Sequence, residues 1–165
     1  MSRNSLEEMY AAAVNLLLKK GIHISTMESC TGGFVSSCIT DIEGASGVMN
    51  GAFVTYCNDA KIRQGVDEWI IERYGVYSLP TAFGMAEACR KAYSAEIGVG
   101  ITGTIGRIDP NNGDSSEGVA YVCVCSEEVM CVKEFRFEKG KTRKECKECI
   151  AEYAAEAVVY IANNT

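Results

Sequence analysis

Histidine is nearly absent: His23 is the only one in 165 residues, so a hydrolase built on the usual histidine base has one residue to draw on. No apolar stretch reaches the roughly 18 to 20 residues that a membrane span needs, and a soluble protein with no membrane partner is expected. Lys and Arg do not cluster apart from a short stretch at 139–147, and the net charge is −6. A surface that tracks nucleic-acid phosphates is therefore not expected. Residues 1–10 contain Glu7 and Glu8 and lack the basic start and apolar core of a secretory signal. No internal repeat, linker or low-complexity segment interrupts the chain.

Hydrophobic residues make up 47% of the chain, enough to bury a core in one domain spanning residues 1–165. The nine cysteines, at 30, 38, 57, 89, 123, 125, 131, 146 and 149, are an odd number scattered through apolar segments. That pattern argues against a disulfide framework and for buried thiols in a reducing cytoplasm.

Helical spacing of Leu6, Met9, Tyr10, Ala13, Leu16 and Leu17 predicts a helix over 5–19, ended by Gly21. Ile22–Met27 reads as a strand, and Thr31-Gly32-Gly33 opens a second helix that runs to about Thr40. Ala52–Tyr56 reads as the next strand, followed by helices over Asn58–Gln64, Asp67–Tyr74 and Ser78–Tyr93. Glu96–Thr102 is a buried strand whose glycines admit another backbone. Residues 103–117 form a Gly/Asn/Asp/Ser loop of the kind that carries function. Val119–Cys125 and Val129–Phe137 form a hairpin, and a capping box at Thr142 and Glu145 starts a last helix to about Ile161. This order fits a three-layer α/β/α sandwich with a mixed sheet.

Ser29 stands in Glu28-Ser29-Cys30-Thr31-Gly32-Gly33, where a strand stops and a helix starts. Unpaired backbone N–H groups and the positive end of a helix dipole collect there and can hold an oxyanion. The same letters also describe an ordinary helix cap. A serine needs a base, and His23 lies about six residues or ~20 Å back along the strand, where it reads as a strand-end residue. A lysine or carboxylate is left, and Thr55-Tyr56-Cys57-Asn58-Asp59-Ala60-Lys61 offers Tyr56 and Lys61. For Lys61 to act near neutral pH, burial or a neighbouring cation must lower its pKa. By themselves, a Tyr and a Lys five residues apart equally describe a solvated face.

Gly98-Val99-Gly100-Ile101-Thr102-Gly103 has the letters of a dinucleotide-binding fingerprint but not its context. Its glycines fall inside the strand, and a loop rather than a helix follows. Cys123, Cys125, Cys131, Cys146 and Cys149 could close a zinc tetrahedron, yet their spacing places them on strand and helix faces where small residues pack. No metal and no cofactor are expected.

From Leu6 to about Ile161 the chain resembles the CinA C-terminal domain family. The resemblance rests on Met27-Glu28-Ser29-Cys30-Thr31-Gly32-Gly33, Phe53-Val54-Thr55-Tyr56-Cys57-Asn58-Asp59-Ala60-Lys61, Tyr74-Gly75-Val76-Tyr77-Ser78 with Met85-Ala86, and Gly100-Ile101-Thr102-Gly103. It implies a cytoplasmic α/β/α domain that hydrolyses the carboxamide of nicotinamide mononucleotide to nicotinic acid mononucleotide and ammonia, in pyridine-nucleotide recycling. Matching positions make Ser29 the nucleophile, Lys61 its base and Tyr56 the hydrogen-bonding partner that orients the pair. Backbone amides around Cys30, Thr31, Gly32 and Gly33 would hold the oxyanion. Thr102 and Gly103 would line the pocket, and Arg143 would contact an anion. The expected partners are a nucleotide substrate and further copies of the chain, as a dimer or higher homo-oligomer.

The family's usual Gly-Pro-x-Gly-Gly and Lys-Pro-Val-Gly stretches are replaced here by Gly106-Arg107-Ile108-Asp109-Pro110-Asn111-Asn112-Gly113 and Ser116-Glu117-Gly118-Val119. The Gly-Asp-Arg before the last helix becomes Gly140-Lys141-Thr142-Arg143. Arg107 is the candidate to replace the missing lysine charge. The changed loop leaves two alternatives beside the deamidase, a nucleotide-binding or regulatory module without turnover and an amidohydrolase of another small amide. Many family members carry an N-terminal domain resembling molybdopterin-binding proteins, for which 165 residues leave no room, so the stand-alone form is expected.

Overall fold

A computed structural model describes residues 3–165, with side chains from Leu6 onward. Five strands form one sheet: β1 (Ile24–Glu28), β2 (Ala52–Val54), β3 (Ile97–Thr104), β4 (Val119–Cys125) and β5 (Met130–Arg136). Their order is β2-β1-β3-β4-β5, with β1 parallel to β2 and β3, and β4 antiparallel to both β3 and β5. The described residues also form six α-helices: α1 (Arg3–Lys20), α2 (Phe34–Thr40), α3 (Asn58–Arg63), α4 (Glu68–Tyr74), α5 (Leu79–Ala92) and α6 (Arg143–Asn163). A short 3-10 turn at Ala45–Gly47, absent from the sequence reading, fills the connection before β2.

The sandwich expected from the order of elements is present, with α1, α2 and α6 on one face of the sheet and α5 on the other, α4 lying against α5. On the first face Leu17, Ile24, Val99, Ile101, Ile150 and Ile161 belong to one buried cluster. On the second, Met27 and Val66 pack with Met85 and Cys89 of α5. Alternation along β1 and β3 sends successive side chains to opposite faces. Gly98 and Gly100 therefore face α5, where a Cβ would lie 2.1 Å from the Ala86 carbonyl oxygen and 1.9 Å from that of Ala82. The apparent fingerprint is a docking strip for a helix backbone.

The local start and stop signals act where they stand in the chain. Gly21 takes φ +66° after α1. Asp67 caps α4 and Ser78 caps α5 by accepting backbone N–H bonds, and Thr142 and Glu145 close the capping box that starts α6. All nine cysteines are free. Cys123 and Cys125 are buried on the α5 side, Cys146 of α6 is buried on the other, and Cys57 alone is exposed. Among the described residues no helix is long and apolar enough to cross a membrane.

Candidate active site

The chain leaves β1 to form β2 on one side and later β3 on the other, so the carboxyl end of β1 is the point where strand order reverses. Ligand crevices in open α/β sheets form outside such ends. Ser29 follows β1 directly and is anchored by its own N–H, which donates to the Ile101 carbonyl at 3.0 Å, while Thr55 N–H donates to the Glu28 carbonyl at 2.8 Å. These bonds extend both parallel ladders one residue past the strand ends. A cleft of about 560 Å³ opens here, lined by Ser29, Cys30, Tyr56, Asp109, Arg107 and Arg143 among others.

Lys61 comes from α3, one turn after Cys57, and reaches back beneath the end of β2. Its Nζ donates to Ser29 Oγ at 3.3 Å and to the Thr55 carbonyl at 3.0 Å. Only 2% of Lys61 is exposed, and 6% of Ser29. Burial of the ammonium lowers its pKa from 10.5 to about 8, against the opposing pull of Cys57, Cys30 and Asp109. The sequence required burial or a cation for this, and burial supplies it. His23 sits at the opposite end of β1, paired with Glu96 at 3.3 Å.

Glu28 builds the turn that carries Ser29, a role its sequence position alone did not disclose. Its buried carboxylate accepts from the N–H groups of Gly33, Val35 and Ser36 at 3.2, 3.1 and 2.8 Å, and from Ser36 Oγ at 2.8 Å. A carboxylate with several donors is well satisfied without a cation. The acid thereby takes the place of a side-chain cap for α2, whose first flanking residue is Gly33 at φ +91°.

Four expectations need correction. Gly32 N–H already donates to the Ser29 carbonyl and Gly33 N–H to Glu28, so neither is open to an oxyanion. Among the described residues the N–H groups of Cys30 and Thr31 donate to no acceptor in the chain, and Cys30 lines the cleft. Tyr56 is not bonded to Ser29 or Lys61. It is 64% exposed, and its hydroxyl accepts from Arg143 Nη2 at 3.1 Å, because β2 ends at Val54 and the chain turns Tyr56 outward. Thr102 is buried and donates from Oγ1 to the Val76 carbonyl at 2.9 Å, so it fastens β3 to the segment before α5 instead of lining the cleft.

Gly103, Arg107 and Arg143 do line the cleft. Gly103 leaves no room for a side chain, since a Cβ would stand 2.5 Å from Ala120 Cα. The opposite wall was not anticipated. Tyr77 donates to Asp109 Oδ2 at 2.6 Å, Asn112 Nδ2 donates to the same oxygen at 2.6 Å, and Asn58 Nδ2 donates to Asn112 Oδ1 at 2.9 Å. These pairs lie 32, 3 and 54 residues apart, and only the Asp109–Asn112 turn is local enough to have left a signal. Among the described residues no group of three His, Cys, Asp or Glu side chains is placed to hold a metal ion.

The family model for the CinA C-terminal domain matches residues 6–161. The chain belongs to this family. A CinA-like protein of Chlorobaculum tepidum is 42% identical over 124 residues, covering 74% of this chain and 28% of that protein. A CinA-like protein of Dictyoglomus turgidum is 37% identical over 142 residues, covering 84% of this chain and 33% of that protein. This chain thus spans about a third of the length of the curated relatives it matches. Among solved structures, the competence/damage inducible protein CihA of Agrobacterium tumefaciens matches with TM-score 0.87, 28% identity and full coverage of both chains. A CinA superfamily protein of Escherichia coli, 21% identical with TM-score 0.85 over 98% of this chain and 93% of that one, shares the fold.

Proposed function

We propose that this CinA family chain hydrolyses the carboxamide of nicotinamide mononucleotide, giving nicotinic acid mononucleotide and ammonia. The observation that carries the reading is the buried Lys61 amine, 3.3 Å from Ser29 Oγ with its pKa drawn down to about 8. A surface lysine is almost wholly protonated at neutral pH, whereas at pKa 8 about a tenth is a free base at pH 7. A buried amine beside a serine supports nucleophilic chemistry better than it supports charge binding.

In this mechanism Ser29 Oγ attacks the carboxamide carbon as its proton passes to neutral Lys61. The amide oxygen takes the negative charge and is met by the N–H groups of Cys30 and Thr31. The tetrahedral adduct collapses, the C–N bond breaks, and Lys61 returns the proton to the departing nitrogen, which leaves as ammonia. A water then attacks the nicotinoyl ester, gives a proton to Lys61, and releases the acid while Ser29 recovers its hydrogen. Arg143 and Arg107 on the cleft wall supply positive charge for the phosphate.

The test is ammonia release from nicotinamide mononucleotide, from nicotinamide and from a panel of simple amides. Turnover of the nucleotide far above the rest is expected. Release from a simple amide alone would transfer the reading to another substrate. Tight binding of the nucleotide without ammonia would favour a regulatory module.

A further inference from the structure

The cleft is lined by charges of both signs, Arg107 and Arg143 against Asp59 and Asp109. They do not neutralise one another. Among the described residues the ion pairs are Arg90 and Lys91 with Glu87, Arg136–Glu134 and Lys144–Glu148, and His23 lies beside Glu96, none of them in the cleft. Arg143 donates to the Tyr56 hydroxyl and Asp109 accepts from Tyr77 and Asn112, so these two charges are bonded to neutral partners and not to each other. A cavity of this kind complements a ligand that itself carries separated charges of both signs.

Asp109 is more than a structural tie. Its Oδ2 accepts two side-chain bonds and its Oδ1 one from the Asn111 N–H at 2.9 Å, which fixes the carboxylate without cancelling its charge. Those donors, the Tyr77 hydroxyl foremost, hold its pKa at about 2, so it is anionic at any working pH. Its field is felt at Lys61, whose proton affinity it raises. Asp109 and Ser29 line the same cleft, so a ring bound over Ser29 shares that cleft with the negative charge. Nicotinamide mononucleotide is such a ligand: its N-alkylated pyridinium is a cation and its phosphate an anion.

We propose that Asp109 is a specificity-determining residue, selecting carboxamides whose ring bears a positive charge, while Arg107 and Arg143 select the phosphate. The inference rests on the nicotinamide-nucleotide reading above and extends it to a rule about charge. Neutral-ring carboxamides bind more weakly because they forgo the attraction to that carboxylate.

Equilibrium binding to the Ser29→Ala protein isolates recognition from turnover. The ligands are nicotinamide mononucleotide, its dihydro form with a neutral ring, and nicotinamide riboside, which keeps the cation and lacks the phosphate. The mononucleotide is expected to bind roughly tenfold tighter than the dihydro form, the scale of one charge contact in a partly wet cleft. Adding Asp109→Asn should erase that preference by weakening the mononucleotide and the riboside alone. Tyr77→Phe, which removes a tie and keeps the charge, should preserve it. Equal weakening of cationic and neutral rings by Asp109→Asn, or no preference before the change, would overturn the proposal. Loss of hydrolysis is separable: wild-type protein that releases no ammonia yet shows an Asp109-dependent preference retains the charge rule and refutes the amidase.

Discussion

Ser29 and Lys61 are 6% and 2% exposed, whereas Arg107, Ile108, Pro110 and Asn111 across the cleft are all exposed. The first region is held by backbone bonds that prolong the sheet, and the second by side-chain bonds among Asn58, Tyr77, Asp109 and Asn112. Ser29 and Lys61 thus sit where the sheet cannot move without breaking its ladder, which suits the proposed reacting pair. The opposite wall is hung on a loop, where residues change at little cost to the core. This contrast fits the loop's departure from the family pattern while the Ser29 and Lys61 segments keep it.

Perturbing each side of the contrast should give effects of very different size. Ser29→Ala should abolish ammonia release, with a loss on the order of 10⁴ to 10⁶ and unchanged circular dichroism. Activity within tenfold of wild type would remove Ser29 from the nucleophile's role. Next, Lys61→Arg should cost about 10² to 10⁴, as much as Lys61→Ala, since arginine stays protonated at working pH. In the wild type, kcat/KM should rise through about pH 8 as Lys61 loses its proton. A flat profile there would relegate Lys61 to binding charge.

Stability should show the same asymmetry at a smaller scale. Lys61 has a folded pKa below its ordinary 10.5, so below pH 8 it is charged in both states and the folded protein bears the cost of burying that charge. Between pH 8 and 10.5 the unfolded chain binds the extra proton, and stability rises with pH. Lys61→Met should therefore flatten that rise between pH 8 and 10.5 in denaturant titrations, and a rise left unchanged would assign it to another group. Glu28→Gln should destabilise by about 2 kcal/mol, because an amide NH₂ would face backbone donors of α2. An unchanged denaturation midpoint would show that the turn does not depend on its carboxylate. Smallest of all, Tyr56→Phe should leave kcat within about threefold, since the lost hydroxyl holds Arg143 by a single exposed bond. A loss near that of Lys61→Arg would return Tyr56 to the catalytic pair.

The order and ends of nearly every element were legible in the chain because their signals are local: apolar period, capping residues and turn glycines act within a few positions. Strand ends and the lack of a second histidine made Ser29 and Lys61 candidates but left a helix cap and a solvated face open, and the resemblance to the CinA C-terminal domain family decided between them. Gly98 and Gly100 showed by context that they were not a phosphate loop. Tertiary structure decided what depends on distance through space. It buried Lys61 and so set its pKa. It turned Tyr56 outward to Arg143, drew Thr102 into the frame, and closed the Gly32 and Gly33 amides with Glu28 and the Ser29 carbonyl. It also joined Asn58 to Asn112 and Tyr77 to Asp109 across the cleft. Dielectric environment and hydrogen-bond partners come from neighbours distant in the chain, and a one-dimensional pattern holds no record of which neighbour arrives.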